Sequence, residues 1–440
     1  MELQKAEAAG AVFGTDRRKG LGGLGGTQEG PLTEVHVFWL AGMSCDGCSI
    51  AVTGATNPSV EDLLAGAIPG LPPVVLHHPV LSVGAGSDFI APFKDAVNGE
   101  LGAPYVVVLE GSVPDDQVLP EGYFSAMGAG GFEAETQGDE PNRVTDWLKQ
   151  LAPGAAACVA IGTCATWGGI PAAAGNITGS MSMMDFLGKD YVSALGVPVV
   201  NVPGCSPVGD NFTEVVVGVL MFLQGIGPLP EFDELGRPSW QFSETVHRHC
   251  VRAGYYEEGV FAEEFGDKEC LVHVGCWGPV VQCNITERGA INHMGGCMVA
   301  GGPCIGCTMP GFPDKFAPFY KAPPGSAASS AASRTYGAVF RRLRRMTMRA
   351  DNFEPIWDRA GEVPTAYARR QREPSTSSKM MGFFYKKLQY QGTVDQAKRN
   401  REQPQPRSMG ILDQAELAAP LARYKPPDAQ EAEGAHPEEP

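Results

Sequence analysis

The sequence predicts an α/β fold: a parallel sheet with helices on both faces, then a loop-rich segment, then a long extended C-terminal tail. Three observations predict it. Short apolar runs at Tyr105-Val-Val-Val-Leu109, Ala157-Cys-Val-Ala-Ile161 and Val197-Pro-Val-Val-Asn-Val202 alternate with helical patterns, which is the rhythm of parallel strands covered on both faces. Each run stops at a loop rich in chemistry: Glu110-Gly-Ser-Val-Pro114, Gly162-Thr-Cys-Ala165 and Pro203-Gly-Cys-Ser-Pro207. Beyond residue 225 the periodicity fades, and seven of the twelve cysteines crowd into residues 226–320.

Taken in order, residues 1–32 are glycine-rich and charged, and read as a mobile arm. A strand at Glu34-Val-His-Val-Phe-Trp-Leu40 leads into the loop Ala41-Gly-Met-Ser-Cys-Asp-Gly-Cys48, and Ser49 to Ala65 reads as a helix that Asn57-Pro58 can break. With the later strands and a helix near Asn211–Leu223, these make a first domain over 33–225. Residues 226–320 form a second, in which so few periodic runs survive that bound metal is expected to serve as the core. Residues 321–440 form a C-terminal extension without cysteine, partly disordered or laid across a partner. Within it, Ser326-Ala-Ala-Ser-Ser-Ala-Ala-Ser333 is linker-like, and Arg341, Arg342, Arg344, Arg345 and Arg349 mark a basic helix of the kind that faces solvent or a partner.

Composition excludes several classes. A net charge of −16 argues against nucleic acid as a partner. The longest apolar stretch, Val215 to Leu223, is too short to span a bilayer. Arg17-Arg18 invites a twin-arginine export reading, but the run Gly20-Leu-Gly-Gly-Leu-Gly-Gly26 that follows is no apolar signal core. The expectation is a cytoplasmic protein, associated with membranes only peripherally and through partners. The 56 glycines and 36 prolines imply many tight loops, as close backbone approach to a bound group requires.

The cysteines fall into spaced sets. Cys45 and Cys48 are joined by Cys164 and Cys205; His247 and Cys250 by Cys270 and Cys276; Cys283 and Cys297 by Cys304 and Cys307. Eleven cysteines and one histidine thus make three sets of four, leaving Cys158 in an apolar run as a buried core thiol. Structural zinc favours short pairs across a modest loop, whereas the first set is scattered from residue 45 to residue 205. Disulfides need an oxidising compartment and suit small domains, and a single catalytic cysteine leaves the other thiols unexplained. Four soft thiolates, one replaceable by imidazole, are the ligand set of an iron–sulfur cluster. Loops at the carboxyl ends of parallel strands bring the first set together although the sequence disperses it.

These residues resemble one family, the small electron-transfer subunit of nickel–iron hydrogenases. The resemblance rests on Trp39-Leu-Ala-Gly-Met-Ser-Cys-Asp-Gly-Cys-Ser49, Glu110-Gly-Ser-Val-Pro114, Gly162-Thr-Cys-Ala-Thr-Trp-Gly-Gly-Ile-Pro171 and Pro203-Gly-Cys-Ser-Pro207. Further on come Gly236-Arg-Pro238, His247-x-x-Cys250, Gly275-Cys-Trp-Gly-Pro279 and Gly302-Pro-Cys-Ile-Gly-Cys307, in the family's order over residues 33–310. The resemblance implies a flavodoxin-like domain holding a proximal cluster, and a smaller loop-rich iron–sulfur domain with medial and distal clusters. His247, Cys250, Cys270 and Cys276 match the distal ligands. Many relatives have a proline at the position of Cys297 and a 3Fe–4S medial cluster; here Cys283, Cys297, Cys304 and Cys307 imply 4Fe–4S. Gly47 and Gly169 stand where oxygen-tolerant relatives carry two extra cysteines, and Ser44 stands where a glutamate is common.

The Cys-Asp-Gly-Cys loop and the long tail resemble the actinobacterial-type subgroup, which is associated with aspartate ligation of the proximal cluster. Asp46 is therefore a candidate ligand, leaving Cys45 spare, against the alternative of a turn-forming aspartate. For Glu110-Gly-Ser112 a role in loop geometry is preferred to lining the proximal pocket. The implied function is that of the small subunit of an uptake hydrogenase, which carries electrons through three 4Fe–4S clusters. Its partners are a large subunit that holds the nickel–iron centre and an acceptor protein or quinone-linked partner near His247, with a dimer of heterodimers or larger as the assembly. The alternative is the iron–sulfur subunit of another respiratory or ferredoxin-linked complex. Relatives of that kind share the first domain but lack the block from His247 to Cys307.

Overall fold

The computed structural model describes residues 32–336, apart from 134–137, 189, 323–327 and 329. The predicted arm and the arginine run lie outside the described residues, as does most of the C-terminal extension. A five-stranded parallel sheet forms the centre: β1 (Val35–Ala41), β2 (Val74–His77), β3 (Tyr105–Glu110), β4 (Ala157–Ile161) and β5 (Val200–Val202), in the order β2-β1-β3-β4-β5. That is the flavodoxin-like order, with the switch between β1 and β3.

β1, β3 and β4 are buried along nearly their whole length, and mostly apolar, because both sheet faces are covered. One face packs Trp39, Val108 and Val159 against α6 (Gly209–Leu223). The other packs Phe38, Val107 and Leu109 against Phe93 of α3 (Ser87–Asn98) and Trp147 of α4 (Val144–Leu151). The helix expected over 49–65 is broken as its Asn57-Pro58 signal indicated, into α1 (Gly47–Thr53) and α2 (Val60–Leu64), the latter closed by a Ser59–Asp62 capping box. β5 is shorter than the apolar run from Val197, and β2 carried no clear strand signal.

The segment after α6 has only short helices, but it also has an apolar core of its own. Val246, Ala262, Leu271, Val281, Met298, Phe312 and Phe316 are buried together with Cys276 and Cys304. Two of the candidate ligands thus sit inside this apolar core. Residues 330–336, which begin inside the expected linker and run past it, are helical. This turn lies against Gly259, where a Cβ would come within 2.6 Å of the Arg334 Cα, and the Arg334 guanidinium stands over the Phe261 ring. Among the described residues no helix is long and apolar enough to cross a membrane.

Candidate metal centres

The first set gathers at the carboxyl edge of the sheet, where the sequence placed it. Cys45 and Cys48 follow β1, Cys164 lies in α5 (Gly162–Trp167) directly after β4, and Cys205 follows β5. The loop after β1 is tied to the loop after β3 by the amides of Gly42 and Met43, which donate to the carbonyls of Glu110 and Ser112 at 2.8 Å each. Cys45, Cys164 and Cys205 all press electrostatically on the Cys48 thiol, and Cys205 and Cys45 on Cys164. Burial, the larger cause in both, pushes Cys164 up to about 11 and Cys48 further. Cys45 and Cys205 are the solvent-exposed members, next to exposed Ile50.

Asp46 has φ 59° at the N-terminal boundary of α1 and makes no capping bond with its side chain. The left-handed turn is a conformation aspartate adopts readily. Its charge is felt by His78.

Glu110 is 1% exposed, and its carboxylate accepts from the amides of Cys48 at 3.0 Å and Ser49 at 3.2 Å, from Trp39 Nε1 at 3.0 Å and from the Ser49 hydroxyl. These bonds fix the backbone that carries Cys48, and the Glu110 charge is felt by the Cys48 thiol. His78 adds a missed partner: its Nδ1 accepts from the amides of Val80 and Leu81, so Nε2 carries the proton and donates to Ser49 Oγ at 2.8 Å. A buried Ser–His–Glu relay left no short-range sequence pattern to find.

His247 is 4% exposed and lies in a 3₁₀ turn (Val246–His249), so the three-residue step to Cys250 is met by 3₁₀ rather than α geometry. Burial lowers His247 to about 4, and its ring stands edge-on to Tyr256. It is therefore a neutral imidazole, the form that ligates metals. Cys250, Cys270 and Cys276 sense one another's charge; Cys250 Sγ accepts from the Arg252 amide at 3.4 Å. Cys276 Sγ accepts from the amides of Gly278 at 3.4 Å and Cys304 at 3.3 Å.

In the third set Cys297 presses on Cys283, Cys304 and Cys307 alike, so it stands with the other three. Burial pushes the thiols of Cys283, Cys304 and Cys307 up, and nearby backbone amides oppose it in part. Arg237, fully buried, adds positive charge near Cys283. It binds Asp233 at 2.7 Å and the Gln282 side chain at 2.6 Å, and stacks over Phe242.

The thiols of each expected set thus lie near one another, the His247 amide donates to the Gly278 carbonyl at 3.0 Å beside the second set, and the Cys158 thiol meets the Tyr191 hydroxyl at 3.1 Å inside the core. Two features test whether these residues suit a multi-iron cluster. Glycines line the thiols where a side chain would collide: a Cβ at Gly162 would overlap Cys48 Sγ, at Gly169 it would lie 2.8 Å from Cys164 Sγ, and at Gly278 3.3 Å from Cys276 Sγ. Buried thiols packed as like-charged neighbours ionise together only if cationic metal compensates them. Among the described residues no three such side chains converge as they would on a single ion. The donor set and its amide-lined surroundings fit a cluster.

This fold, with its three thiol-rich sets, defines a chain of the hydrogenase and respiratory-oxidoreductase class. The family model described as NADH ubiquinone oxidoreductase, 20 Kd subunit, matches residues 45–219, and the model for the C-terminal part of the NiFe/NiFeSe hydrogenase small subunit matches residues 242–320. The chain is 32% identical over 288 residues to the periplasmic [NiFeSe] hydrogenase small subunit of Desulfomicrobium baculatum, covering 65% of this chain and 87% of that one. It is 34% identical over 281 residues to the hydrogenase-2 small chain of Escherichia coli K12, covering 62% and 67%. A chain of the actinobacterial-type NiFe-hydrogenase from Ralstonia eutropha H16 superposes with TM-score 0.69 at 48% identity, over 79% of this chain and 97% of that one. The chain belongs to the nickel–iron hydrogenase small-subunit family and is a subunit of a hydrogenase.

Proposed function

We propose that the chain conducts electrons from dihydrogen, oxidised in a separate large subunit, to an acceptor through three 4Fe–4S clusters. Cys48, Cys164 and Cys205 hold the proximal cluster; Cys283, Cys297, Cys304 and Cys307 the medial; His247, Cys250, Cys270 and Cys276 the distal. The fourth proximal ligand comes from the adjacent pair Cys45 and Asp46, and the uncapped left-handed geometry of Asp46 supports the carboxylate. The observation that supports this reading is that the thiols of each set lie near enough to press electrostatically on one another, with the amides of Gly278 and Cys304 donating to Cys276 Sγ.

When bound, the clusters supply one-electron redox chemistry. The protein's part is to hold thiolates, aim amides at their sulfurs and exclude water, which are the levers that set a cluster's potential. The exposed edge at Cys45, Ile50 and Cys205 suits docking of the large subunit, and the face around Arg248, His249 and Val251 suits an acceptor.

Anaerobic purification of the complex with iron, acid-labile sulfide and spin-resonance analysis tests the reading. About twelve irons per chain are expected from three four-iron clusters; zinc without sulfide overturns it. Within the same preparation Asp46→Asn alters the proximal-cluster spectrum and Cys45→Ser does not. The reverse pattern moves the ligand to Cys45.

A further inference from the structure

The turn that carries Cys297 is closed by its own backbone. The amide of Gly302 donates to the Cys297 carbonyl at 2.7 Å, that of Ala300 to Gly296 at 2.9 Å and that of Gly301 to Met298 at 3.3 Å. Cys297 is also the exposed member of its set. What seats it must therefore come from outside the turn, and Met298 supplies two anchors. Its side chain is buried in the apolar core of the second region, and its carbonyl accepts from Arg252 Nε at 3.1 Å.

Arg252 reaches Met298 from the second set. It stands two residues after Cys250, and its backbone amide donates to Cys250 Sγ at 3.4 Å. Its Nη1 donates to the carbonyls of Glu269, at 2.9 Å, and Asp267, on the stretch that runs into Cys270. That stretch is likewise closed locally, the Asp267 carboxylate accepting from the amides of Glu263 at 3.0 Å and Glu264 at 3.1 Å. One half-buried guanidinium thus bonds three carbonyls on two separate loops. A guanidinium holds its donors in a rigid planar fork and satisfies acceptors on different sides at once. A lysine ammonium is a point charge on a flexible stem and cannot reproduce that geometry.

We propose that Arg252 is the positioning residue that seats Cys297, by tying its turn to the loops that carry Cys250 and Cys270. This rests on the reading of Cys297 as the fourth thiolate of the medial set. The role belongs to the fork rather than to the charge, because the bonds run to carbonyls on loops that otherwise close on themselves.

The test uses the anaerobically purified complex with Arg252→Lys, which keeps the charge and loses the fork. Hydrogen exchange, iron content and the spin-resonance spectrum after mild oxidation with ferricyanide are compared with wild type. Exchange should quicken at residues 267–270 and 298–302 together, while the amides of β3 exchange as before. A medial cluster left with three seated thiolates takes the 3Fe–4S form. The variant should therefore lose about one iron of about twelve per chain and gain a 3Fe–4S signal that wild type lacks. Adding Arg252→Lys to Cys297→Ala should change that signal no further than Cys297→Ala alone. Wild-type exchange at 298–302 overturns the proposal, and so, in a cluster-loaded complex, does the absence of the 3Fe–4S signal. If Arg252→Lys does not assemble, Arg252→Gln, which keeps one donor group without the charge, is read by the same measurements. A wild-type complex without clusters refutes the functional reading instead. Exchange then decides the tie by itself, quickened at both segments if it exists and unchanged if it does not.

Discussion

Glu110 places a buried negative charge against the amides of Cys48 and Ser49, with all its neighbours donating. Glu110→Gln keeps the volume but turns one acceptor into a donor facing Trp39 Nε1 or Ser49 Oγ. We expect a stability loss of about 1–3 kcal/mol, the cost of leaving a buried polar group unpaired, measured by denaturant unfolding of the loaded complex. Removing negative charge beside Cys48 should also raise the proximal-cluster potential in a redox titration. Conformation decides as much as charge at Gly162 and Gly169, both at positive φ, where a side chain would strike the thiol it faces.

Among the elements, the pairing of β1 with β2 carries a pH-sensitive contact. His36 Nδ1 and His77 Nε2 lie 2.9 Å apart with stacked rings, and Phe38 stacks on His77. Burial, and then the His36 charge, lower His77 to about 4. Below its ordinary range the unfolded chain takes up a proton that the folded chain refuses. Stability contributed by this contact is therefore complete above about 6.5 and lost as pH falls toward about 4. His77→Phe keeps an aromatic ring against Phe38 and removes the titration. Its unfolding free energy, compared with wild type, should fall less steeply between these pH values; identical slopes would exclude His77 as the source.

At the scale of the whole molecule, the two cysteine-bearing regions are bound by polar contacts rather than by a shared apolar core. Asn211 of α6 and Asn284, beside Cys283, exchange reciprocal amide bonds of 2.9 and 2.7 Å. Glu214 of the same helix pairs with Arg288, and Gln241 donates to the Asn211 carbonyl. Within the second region the fully buried Arg237 joins Asp233 to Gln282. Arg237→Met would leave Asp233 nearly buried without its cation, at a cost of about 3–5 kcal/mol. Thermal unfolding should show it, with medial-cluster signals lost before the proximal ones because Arg237 reaches Gln282 next to Cys283.

The sequence by itself determined four of the five sheet strands, the cysteine-bearing loops that end three of them and the spacing that groups the cysteines. These are written locally, as apolar runs, glycines and cysteine spacing. The uniformly apolar strands at 105–109 and 157–161 and the break at Asn57-Pro58 were legible for that reason. The tertiary structure alone decided that Glu110 bonds the Cys48 amide, that His78 reaches Ser49, and that Thr163 joins residue 204 to residue 307. Each is a contact across dozens of residues or more, and hydrogen bonds of that range leave no period or spacing in the chain. They exist only once the parallel sheet has set its carboxyl-end loops side by side.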